Sequence, residues 1–484
     1  MGVLSNLEPQ KVFHFFEEIT KIPHGSGNVG QISDFLAEFA QERNLYCVQD
    51  AVKNIIIVKE AAPGYEKEPA VILQGHMDMV AVKKPDCDID MEKEGLRVAV
   101  NGDEIYAEGT SLGGDDGIAV AYALAILDSD TISHPRLEVV ITVDEEDGMD
   151  GARQIDLSVL SGRRMINLDS EEEGIFLASC AGGARVKCRL DLSGEQKEGV
   201  AFEIGIGGLQ GGHSGAEIHK ERGNSNCLLG RLLIRLAGKM DVNLLEADGG
   251  LADNAISRET KARIVIREQD QEIFREMVRD VEAEIRGELA SKDPGVWIRV
   301  GEGLPGCYSC ATKEDTRRAA RYLVSLPDGV QAMSADMPGL VETSLNLGIM
   351  KYHEGCLAAE FAVRSSVESA KYALIDRVFA VTELAGGCAV MEGDYPGWKY
   401  RKDSPLRNKM VNLYEKMYGS KPKVEAIHAG LECGLLGSKI ENLDCVSLGP
   451  NMKAIHTTEE TLSISSVSRV WEYLIRVLEE KEEH

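Results

Sequence analysis

Five side chains of the types that bind metal ions follow apolar strands or glycine-rich turns in this sequence. The imidazoles are His76, in Gln-Gly-His-Met-Asp, and His456, in Lys-Ala-Ile-His. The carboxylates are Asp115 in Gly-Gly-Asp-Asp-Gly, Glu146 in Val-Asp-Glu-Glu-Asp, and Asp169 in Asn-Leu-Asp-Ser. Five ligands are too few for two closed structural sites. They suit two zinc ions that share one carboxylate and keep a position open for water, an arrangement that hydrolyses amide bonds.

Two neighbouring residues have types that fit supporting roles. Asp78 lies two residues after His76, so in extended backbone both side chains point the same way and the carboxylate can orient the imidazole. Glu145, beside Glu146, can stay free of metal and take the proton of an attacking water. Each feature has a structural alternative: a turn histidine, an N-cap at Asp115, or a solvated acidic loop. We also expect a cis peptide bond after Asp115.

Bulk composition indicates a soluble globular protein of more than one domain. The chain has 484 residues, of which 43% are hydrophobic and 27% charged, and that length exceeds one ordinary core. The formal net charge of −27 disfavours nucleic acid and anionic membranes as partners, because both require basic surface. No 18-residue apolar run is present, and the N-terminus lacks the features of a signal peptide. The 11 cysteines are typical of a reduced cytoplasmic protein.

The pattern of elements predicts an α/β catalytic domain interrupted by an α+β insertion. Residues 1–182 alternate helices and strands, which indicates a mostly parallel central sheet. Residues 183–385 read as an inserted lid domain of two similar, ferredoxin-like halves in tandem. Residues 386–484 return to the first pattern, ending in an amphipathic helix over 465–480. The catalytic domain is therefore expected to be discontinuous in sequence.

One further histidine stands in a glycine-rich loop of the expected insertion. His213 lies in Leu-Gln-Gly-Gly-His-Ser-Gly. The glycine spacing is not that of a dinucleotide-binding fingerprint. The two remaining interpretations are a turn histidine and a hydrogen-bond donor to an oxyanion formed during catalysis.

Taken in order, these motifs resemble those of the co-catalytic zinc exopeptidase and aminoacylase family, which includes carnosinases, a glutamate carboxypeptidase and a tripeptidase. The family pattern is His-x-Asp, Gly-x-Asp-Asp-Gly, a Glu-Glu pair, Asp, and a late His, and each element occurs here in that order. The strings around His213, around 339–348 and around 427–434 add to the likeness, which spans essentially the whole chain. The resemblance implies a zinc-exopeptidase fold and metal-dependent hydrolysis of dipeptides, with Xaa-His dipeptides as the expected substrates.

The resemblance also implies a role for each candidate residue. His76 and Asp169 are expected to bind one zinc ion, Glu146 and His456 the other, and Asp115 both, with Co²⁺ or Mn²⁺ as alternatives to zinc. Glu145 is the expected general base and acid, Asp78 orients His76, and His213 polarises the scissile carbonyl. The expected substrate contacts are Arg364, a clamp for the C-terminal carboxylate whose alternative is a strand-edge salt bridge, and Asn254, His428, Gly430 and Glu432.

Three matters stay open at the level of sequence. A tripeptidase, deacylase or carboxypeptidase would use the same dinuclear site, and a non-catalytic zinc-binding assembly protein is a second alternative. The insertion is longer than the single α+β half of many relatives, which suggests that His213 acts within its own chain instead of being lent by a partner. Whether the chain is a monomer or a homodimer remains undecided, and the expected partner is a small peptide substrate.

Overall fold

The N-terminal part of the chain alternates helices and strands, as its apolar spacing predicts. The structure is a computed structural model that describes residues 2–481. In chain order the first elements are α1 (Gln10–Thr20), α2 (Gly30–Glu42), β1 (Tyr46–Gln49), β2 (Ile55–Lys59), β3 (Val71–His76), β4 (Val98–Asn101), β5 (Glu104–Ala107), α3 (Gly114–Leu127), β6 (Leu137–Thr142), α4 (Asp150–Gln154), β7 (Arg164–Asn167) and β8 (Ile175–Cys180).

A long α+β segment follows. Its elements are β9 (Gly182–Asp191), β10 (Gly194–Gly207), β11 (Gly212–His213), α5 (Ser225–Ala237), β12 (Val242–Gly249), β13 (Ala255–Ile256), β14 (Thr260–Ile266), α6 (Gln271–Glu288), β15 (Trp297–Val300), β16 (Leu304–Ala311), α7 (Lys313–Ser325), β17 (Gly329–Met333), β18 (Val341–His353), β19 (Cys356–Ser365), α8 (Glu368–Leu384) and β20 (Cys388–Tyr395). Short 3₁₀ turns lie at Ile218–Lys220 and Glu268–Asp270.

The C-terminal part returns to helix and strand alternation. It comprises α9 (Pro405–Tyr418), β21 (Lys423–Ile427), α10 (Glu432–Lys439), β22 (Asp444–Ser447), β23 (Met452–Lys453), β24 (Thr461–Ser463) and α11 (Ile464–Glu479). The chain divides into two compact units. Unit 1 contains Met1–Ser179, Tyr400–Ala426 and Leu431–His484, and unit 2 contains Cys180–Lys399 and Ile427–Gly430.

Unit 1 is built around an eight-stranded sheet in the order β1-β2-β6-β3-β7-β22-β8-β21. The four central strands β6, β3, β7 and β22 are parallel to one another, whereas β2 pairs antiparallel with β1 and β6, and β8 pairs antiparallel with β22. The expected parallel sheet is therefore confirmed for its centre. The strands β3 and β6 are buried at every position, as is typical of a sheet that helices cover on both faces.

The helices α3 and α11 pack against each other in the core of unit 1. Every residue of α3 is buried, and its Tyr122 hydroxyl donates a 3.0 Å hydrogen bond to the carbonyl of Val467 in α11. The predicted apolar stripe of α11 is present: Val467, Val470, Leu474 and Leu478 are buried, and Trp471 stacks on Tyr122 with ring centroids 6.2 Å apart. This packing fixes the middle of α3, seven residues after Asp115.

Unit 2 contains two ferredoxin-like halves in one continuous antiparallel sheet. In one half the strand order is β15-β10-β14-β12, and in the other it is β18-β19-β9-β20. Both correspond to a strand-helix-strand-strand-helix-strand unit with its first strand in an inner position. The halves join through pairing of β12 with β18, at Ala247 opposite Tyr352.

The halves are nested in sequence, which differs from the expected tandem order. β9 is the first strand of one half, and α7 is the first helix of that half. The complete other half, β10 to β15, is inserted between β9 and α7. The sequence pattern could not show this, because element order alone does not reveal which strand pairs with β9. The strand β20 also pairs with β9, so the expected boundary after residue 385 falls inside unit 2, which ends this stretch at Lys399.

Two local features of unit 1 complete the frame around the candidate site. A four-stranded sheet in the order β23-β24-β5-β4 holds the hairpin loop of residues 454–460, which contains His456. Across residues 2–481, no helix has both the length and the apolar character needed to cross a membrane.

Candidate metal centre

The candidate ligands of unit 1 meet at one edge of its central sheet. His76 is the last residue of β3, Glu146 follows β6 by four residues, and Asp169 follows β7 by two. These three strands are adjacent and parallel, so their carboxyl ends lie at the same edge, where open α/β sheets place their sites. The β23–β24 loop and the start of α3 bring His456 and Asp115 to this edge.

Asp115 lies between the two histidines. Its Oδ1 is 3.3 Å from Nε2 of His76, and its Oδ2 is 3.1 Å from Nε2 of His456. The remaining carboxylates flank this trio: Asp169 Oδ1 is 3.9 Å from His76 Nε2, and Glu146 Oε1 is 2.6 Å from His456 Nε2. The five side chains therefore form two groups of three that have Asp115 in common.

The donor atoms of these groups fit divalent cations. Oδ1 of Asp115 and Oε1 of Glu146 are buried and accept no hydrogen bond among the described residues, although imidazole nitrogens are close by. Burial and the charge of Asp116 raise the pKa of Asp169 well above its ordinary value. Buried oxygens without donors and crowded negative charge are both relieved by a cation. Two imidazoles and three carboxylates form a donor set that suits zinc.

Asp116 is a buried carboxylate at this edge that the sequence analysis did not assign to the site. Its Oδ2 accepts a 3.2 Å hydrogen bond from the backbone N–H of His76, and its oxygens lie within 4.8 Å of ligand atoms of His76 and Asp169. The peptide bond between Asp115 and Asp116 is cis, as expected. A Cβ atom at Gly75 would come within 2.5 Å of Asp116 Oδ2, so glycine there permits the close approach.

Asp78 contacts both His76 and the loop after β6. Nδ1 of His76 donates to the backbone carbonyl of Asp78 at 2.9 Å and lies 3.5 Å from its Oδ1, which directs Nε2 toward Asp115. The Asp78 carboxylate accepts hydrogen bonds from the backbone N–H groups of Glu145 and Glu146, at 3.0 and 3.3 Å. Asp78 therefore contacts the first histidine mainly through its backbone carbonyl and the glutamate pair through its carboxylate.

Glu145 lies beside these groups with a perturbed acidity. Burial, followed by the charges of Glu432, Glu146 and Asp115, raises the pKa of Glu145 to about 8, while the charge of His76 opposes the rise. A bound cation would oppose it further. A carboxylate whose pKa lies near neutrality is suited to accept and return a proton.

A buried polar network lies beneath the strand ends. Oε2 of Glu432 accepts 2.6 Å hydrogen bonds from Gln74 Nε2 and from Thr142 Oγ1, and Asn167 Nδ2 donates to Gln74 Oε1 at 2.6 Å. Gln74 lies in β3, Thr142 in β6 and Asn167 in β7, so the network joins these three strands. Gln74 and Asn167 each lie two residues before a candidate ligand. Glu432 itself is completely buried, and burial raises its pKa to about 7.

Unit 2 brings three of its candidate residues together. A Cβ atom at Gly215 would lie 2.5 Å from the carbonyl oxygen of His428, 3.0 Å from Cε1 of His213 and 3.2 Å from Nε of Arg364. Nη1 of Arg364 donates to the hydroxyl of Tyr395 at 3.1 Å, so its partner is not a strand-edge carboxylate. Burial and the charge of Arg364 lower the pKa values of His213 and of His428, the latter to about 3.

The other two candidates of unit 2 are more peripheral to that group. Asn254 is exposed, and its backbone carbonyl accepts a 2.8 Å hydrogen bond from Ser214 N. A Cβ atom at Gly430 would lie 2.9 Å from the ring of Tyr395. Tyr395 is thus common to Arg364 and Gly430, and the sequence analysis did not single it out because a lone tyrosine gives no pattern.

The fold and this centre define a class of metal-dependent peptidase, and comparison with known proteins agrees. Residues 72–480 match peptidase family M20/M25/M40, and the chain belongs to that family. The expected family resemblance and the expected fold are therefore confirmed.

The chain is 34% identical over 482 residues to the cytosol non-specific dipeptidase of Escherichia coli K12, covering 99% of both chains. It is also similar to the crystal structure of aminoacylhistidine dipeptidase from Vibrio alginolyticus, with a TM-score of 0.94, 34% identity, and coverage of 100% of this chain and 99% of the other. The aminopeptidase PepT of Bacillus cereus has the same fold at 15% identity, with a TM-score of 0.56 and 98% coverage of each chain.

Proposed function

We propose that this protein is a zinc-dependent dipeptidase whose substrates include Xaa-His dipeptides. The observation that carries the proposal is the convergence of two imidazoles and three carboxylates on two groups that share Asp115. Full-length identity of 34% to a cytosol non-specific dipeptidase, together with the aminoacylhistidine dipeptidase likeness, supports the substrate class. The eleven cysteines form no disulfide among the described residues, and this observation and the cytosolic relative support a cytoplasmic location.

The proposed ligands follow the two groups of donor atoms. His76 and Asp169 would hold one ion, Glu146 and His456 the other, and Asp115 both. Two divalent ions bound there would acidify a water molecule and polarise the substrate carbonyl. Asp78 keeps Nε2 of His76 free for the ion because Nδ1–H is engaged by Asp78 itself.

Glu145 is the proposed general base and acid. Its carboxylate takes the proton of the attacking water and then delivers it to the nitrogen of the leaving amine. The raised pKa of Glu145 supports this role. The Glu145 carboxylate is a stronger base than that of an ordinary glutamate, and its protonated form can still donate the proton to the leaving amine. Anchoring of its backbone N–H by Asp78 keeps the side chain in place between the two transfers.

His213 of unit 2 is the proposed donor to the oxygen of the scissile carbonyl. Its Nδ1 accepts hydrogen bonds from the backbone N–H groups of Gly215 and Ala216, at 3.3 and 3.1 Å. The lowered pKa of His213 favours the neutral ring, whose one proton must then be on Nε2. The Nε2–H group is therefore a neutral donor, as required for stabilising an oxyanion.

Arg364 is the proposed partner of the substrate's C-terminal carboxylate. Its Nε is buried and makes no hydrogen bond among the described residues, so a planar guanidinium edge is available for a bidentate pair. Asn254, His428, Gly430 and Glu432 are proposed to shape the substrate pocket. For Glu432, full burial favours an indirect role through Gln74 and Thr142.

A substrate panel tests the proposed function. Metal-free protein, and protein reconstituted with Zn²⁺, Co²⁺ or Mn²⁺, are assayed on Xaa-His dipeptides, other dipeptides, tripeptides and N-acyl amino acids. Dipeptide hydrolysis that stops on chelation and returns with metal supports the proposal. Preference for tripeptides or acyl amino acids would replace the substrate class, and inactivity of the metal-loaded protein on every substrate would favour the non-catalytic alternative.

A further inference from the structure

Glu460 makes an unusual set of contacts to the turn that carries Asp115. It lies in the β23–β24 loop, and its side chain is buried. Oε2 accepts hydrogen bonds from the backbone N–H groups of Leu112 and Gly113, at 2.7 and 3.1 Å. Oε1 accepts from those of Gly114 and Asp115, at 2.8 and 3.4 Å. A single carboxylate thus satisfies four consecutive backbone donors.

These donors need an external partner because of where they lie. Gly114 and Asp115 lie in the first turn of α3, where backbone N–H groups have no acceptor within the helix, and Leu112 and Gly113 lie in the turn that leads into it. Gly113 has a φ of 68°, a left-handed conformation that glycine adopts without strain and that turns successive N–H groups toward one point. The Glu460 carboxylate occupies that point, so it determines the path of the backbone into Asp115.

The backbone of Glu460 belongs to the loop that carries His456. Glu460 follows His456 by four residues, and its backbone N–H donates to the carbonyl of Thr457 at 3.3 Å. The Thr457 hydroxyl in turn donates to the carbonyl of Ala454 at 2.6 Å. The short loop is therefore closed on itself, and its only buried carboxylate is the one bound to the Asp115 turn.

We propose that Glu460 is a positioning residue that sets the spacing between Asp115 and His456 and thereby the affinity of the metal site that they share with Glu146. The inference rests on the proposed metal-binding function. The site formed with His76 and Asp169 depends less on Glu460, because those residues are placed by β3 and β7. Loss of the Glu460 carboxylate should therefore weaken one ion more than the other.

Glu138 provides a matched control. It is also a buried carboxylate, and it accepts hydrogen bonds from the backbone N–H groups of Ser161 and Gly162, each at 2.9 Å. It lies near the start of β6, whereas the metal ligands lie beyond the end of that strand. A Glu138→Gln substitution therefore removes a comparable backbone anchor in unit 1 without touching the centre.

The test is titration of metal-free protein with Zn²⁺ by calorimetry and with Co²⁺ by visible absorption. Wild-type protein should bind two ions. Glu460→Gln should keep one ion and bind the second about 10- to 100-fold more weakly, with a changed Co²⁺ spectrum, because the amide presents N–H groups to the donors of the turn. Glu138→Gln should lower the melting temperature yet bind both ions as wild type does.

Two results would overturn the inference: unchanged binding of both ions by Glu460→Gln, or equal weakening in Glu138→Gln. If Glu460→Gln is not folded by circular dichroism, Glu460→Asp is titrated instead. It keeps the charge on a shorter side chain, so a weakened second ion supports the inference and two tight ions contradict it. Wild-type protein that binds no stoichiometric metal would instead refute the proposed function, and the inference with it.

Discussion

Oδ2 of Asp115 lies 3.1 Å from Nε2 of His456, although 341 positions separate the two residues in the chain. The other oxygen of the same carboxylate lies 3.3 Å from Nε2 of His76. A carboxylate that faces one histidine with each oxygen is placed to serve two cations at once. The distance across the sequence also means that the centre exists only when both segments of unit 1 are folded together.

Removal of Asp115 should affect both ions, whereas removal of Asp169 should affect one. Asp115→Ala is expected to lose stoichiometric binding of both ions, because each group of ligands loses a member. Asp169→Ala should retain the ion held by Glu146 and His456. Elemental analysis of the dialysed variants, folded by circular dichroism, measures this directly, and an Asp115→Ala protein that keeps two ions would contradict a bridging role.

Replacement of Glu145 should separate catalysis from metal binding. Glu145→Gln is expected to keep both ions and to lose about 10²- to 10⁴-fold in kcat, the usual size of a general acid–base contribution. The exposed neighbour Asp147 supplies the control, and Asp147→Asn should remain within a few-fold of wild type. Near-normal turnover by Glu145→Gln would show that another group moves the proton.

The pH dependence of kcat/KM should show the ionisation of Glu145. Because this residue must be ionised to accept a proton, activity should rise as the pH increases through its pKa. Burial raises that pKa from 4.5 to about 8, and bound cations lower it again. The acidic limb should therefore have a midpoint between these values and should disappear in Glu145→Gln, measured on whatever slow activity remains. A midpoint at or below 4.5 would contradict a raised pKa.

Metal binding should release protons near neutral pH. The carboxylates of Asp115 and Glu146 raise the pKa of His456 to about 10 in the metal-free protein, so the ring carries an extra proton at pH 7. A metal ligand must lose that proton, and affinity should rise with pH up to that pKa. Calorimetry in buffers of different ionisation enthalpy counts the protons, and a His456→Ala variant should release fewer. No difference between buffers would be the contrary result.

Enlarging Gly75 should disturb the centre by sterics alone. A Cβ atom there would lie 2.5 Å from Asp116 Oδ2 and 2.7 Å from Ala119 Cβ, and overpacking of this kind costs about 1–3 kcal/mol. Gly75→Ala should lower both the melting temperature and the metal content. Gly437, in α10, has open space around it, so Gly437→Ala should leave the metal content unchanged and should not lower the melting temperature. Wild-type metal content in Gly75→Ala would show that Asp116 can be displaced without loss of the metal ions.

Much of the fold and the centre could be predicted because the informative signals are local. His76 ends an apolar strand and Asp169 lies two residues after another, so each side chain is placed at the carboxyl end of a parallel strand. The carboxyl ends of adjacent parallel strands lie at the same edge of the sheet. Glycine on both sides of Asp115 and Asp116 predicted the cis peptide bond. The apolar stripe of α11 was equally readable from its spacing.

The other features of the fold and of the centre depend on contacts between residues far apart in the chain, which local sequence patterns do not reveal. The nested order of the two halves in unit 2 requires knowing that β9 pairs with β19 and β20. The role of Glu460 depends on a contact across more than 340 positions. The network of Gln74, Thr142 and Glu432 joins three separate elements, and each residue alone looks like ordinary buried polarity.

The most direct measurement of the central claim is anomalous X-ray diffraction at the zinc absorption edge on crystals of active protein. Two strong anomalous peaks should flank the carboxylate of Asp115, one also touching His76 and Asp169, the other His456 and Glu146. A single peak, peaks remote from Asp115, or full activity in crystals with no transition metal would contradict the account.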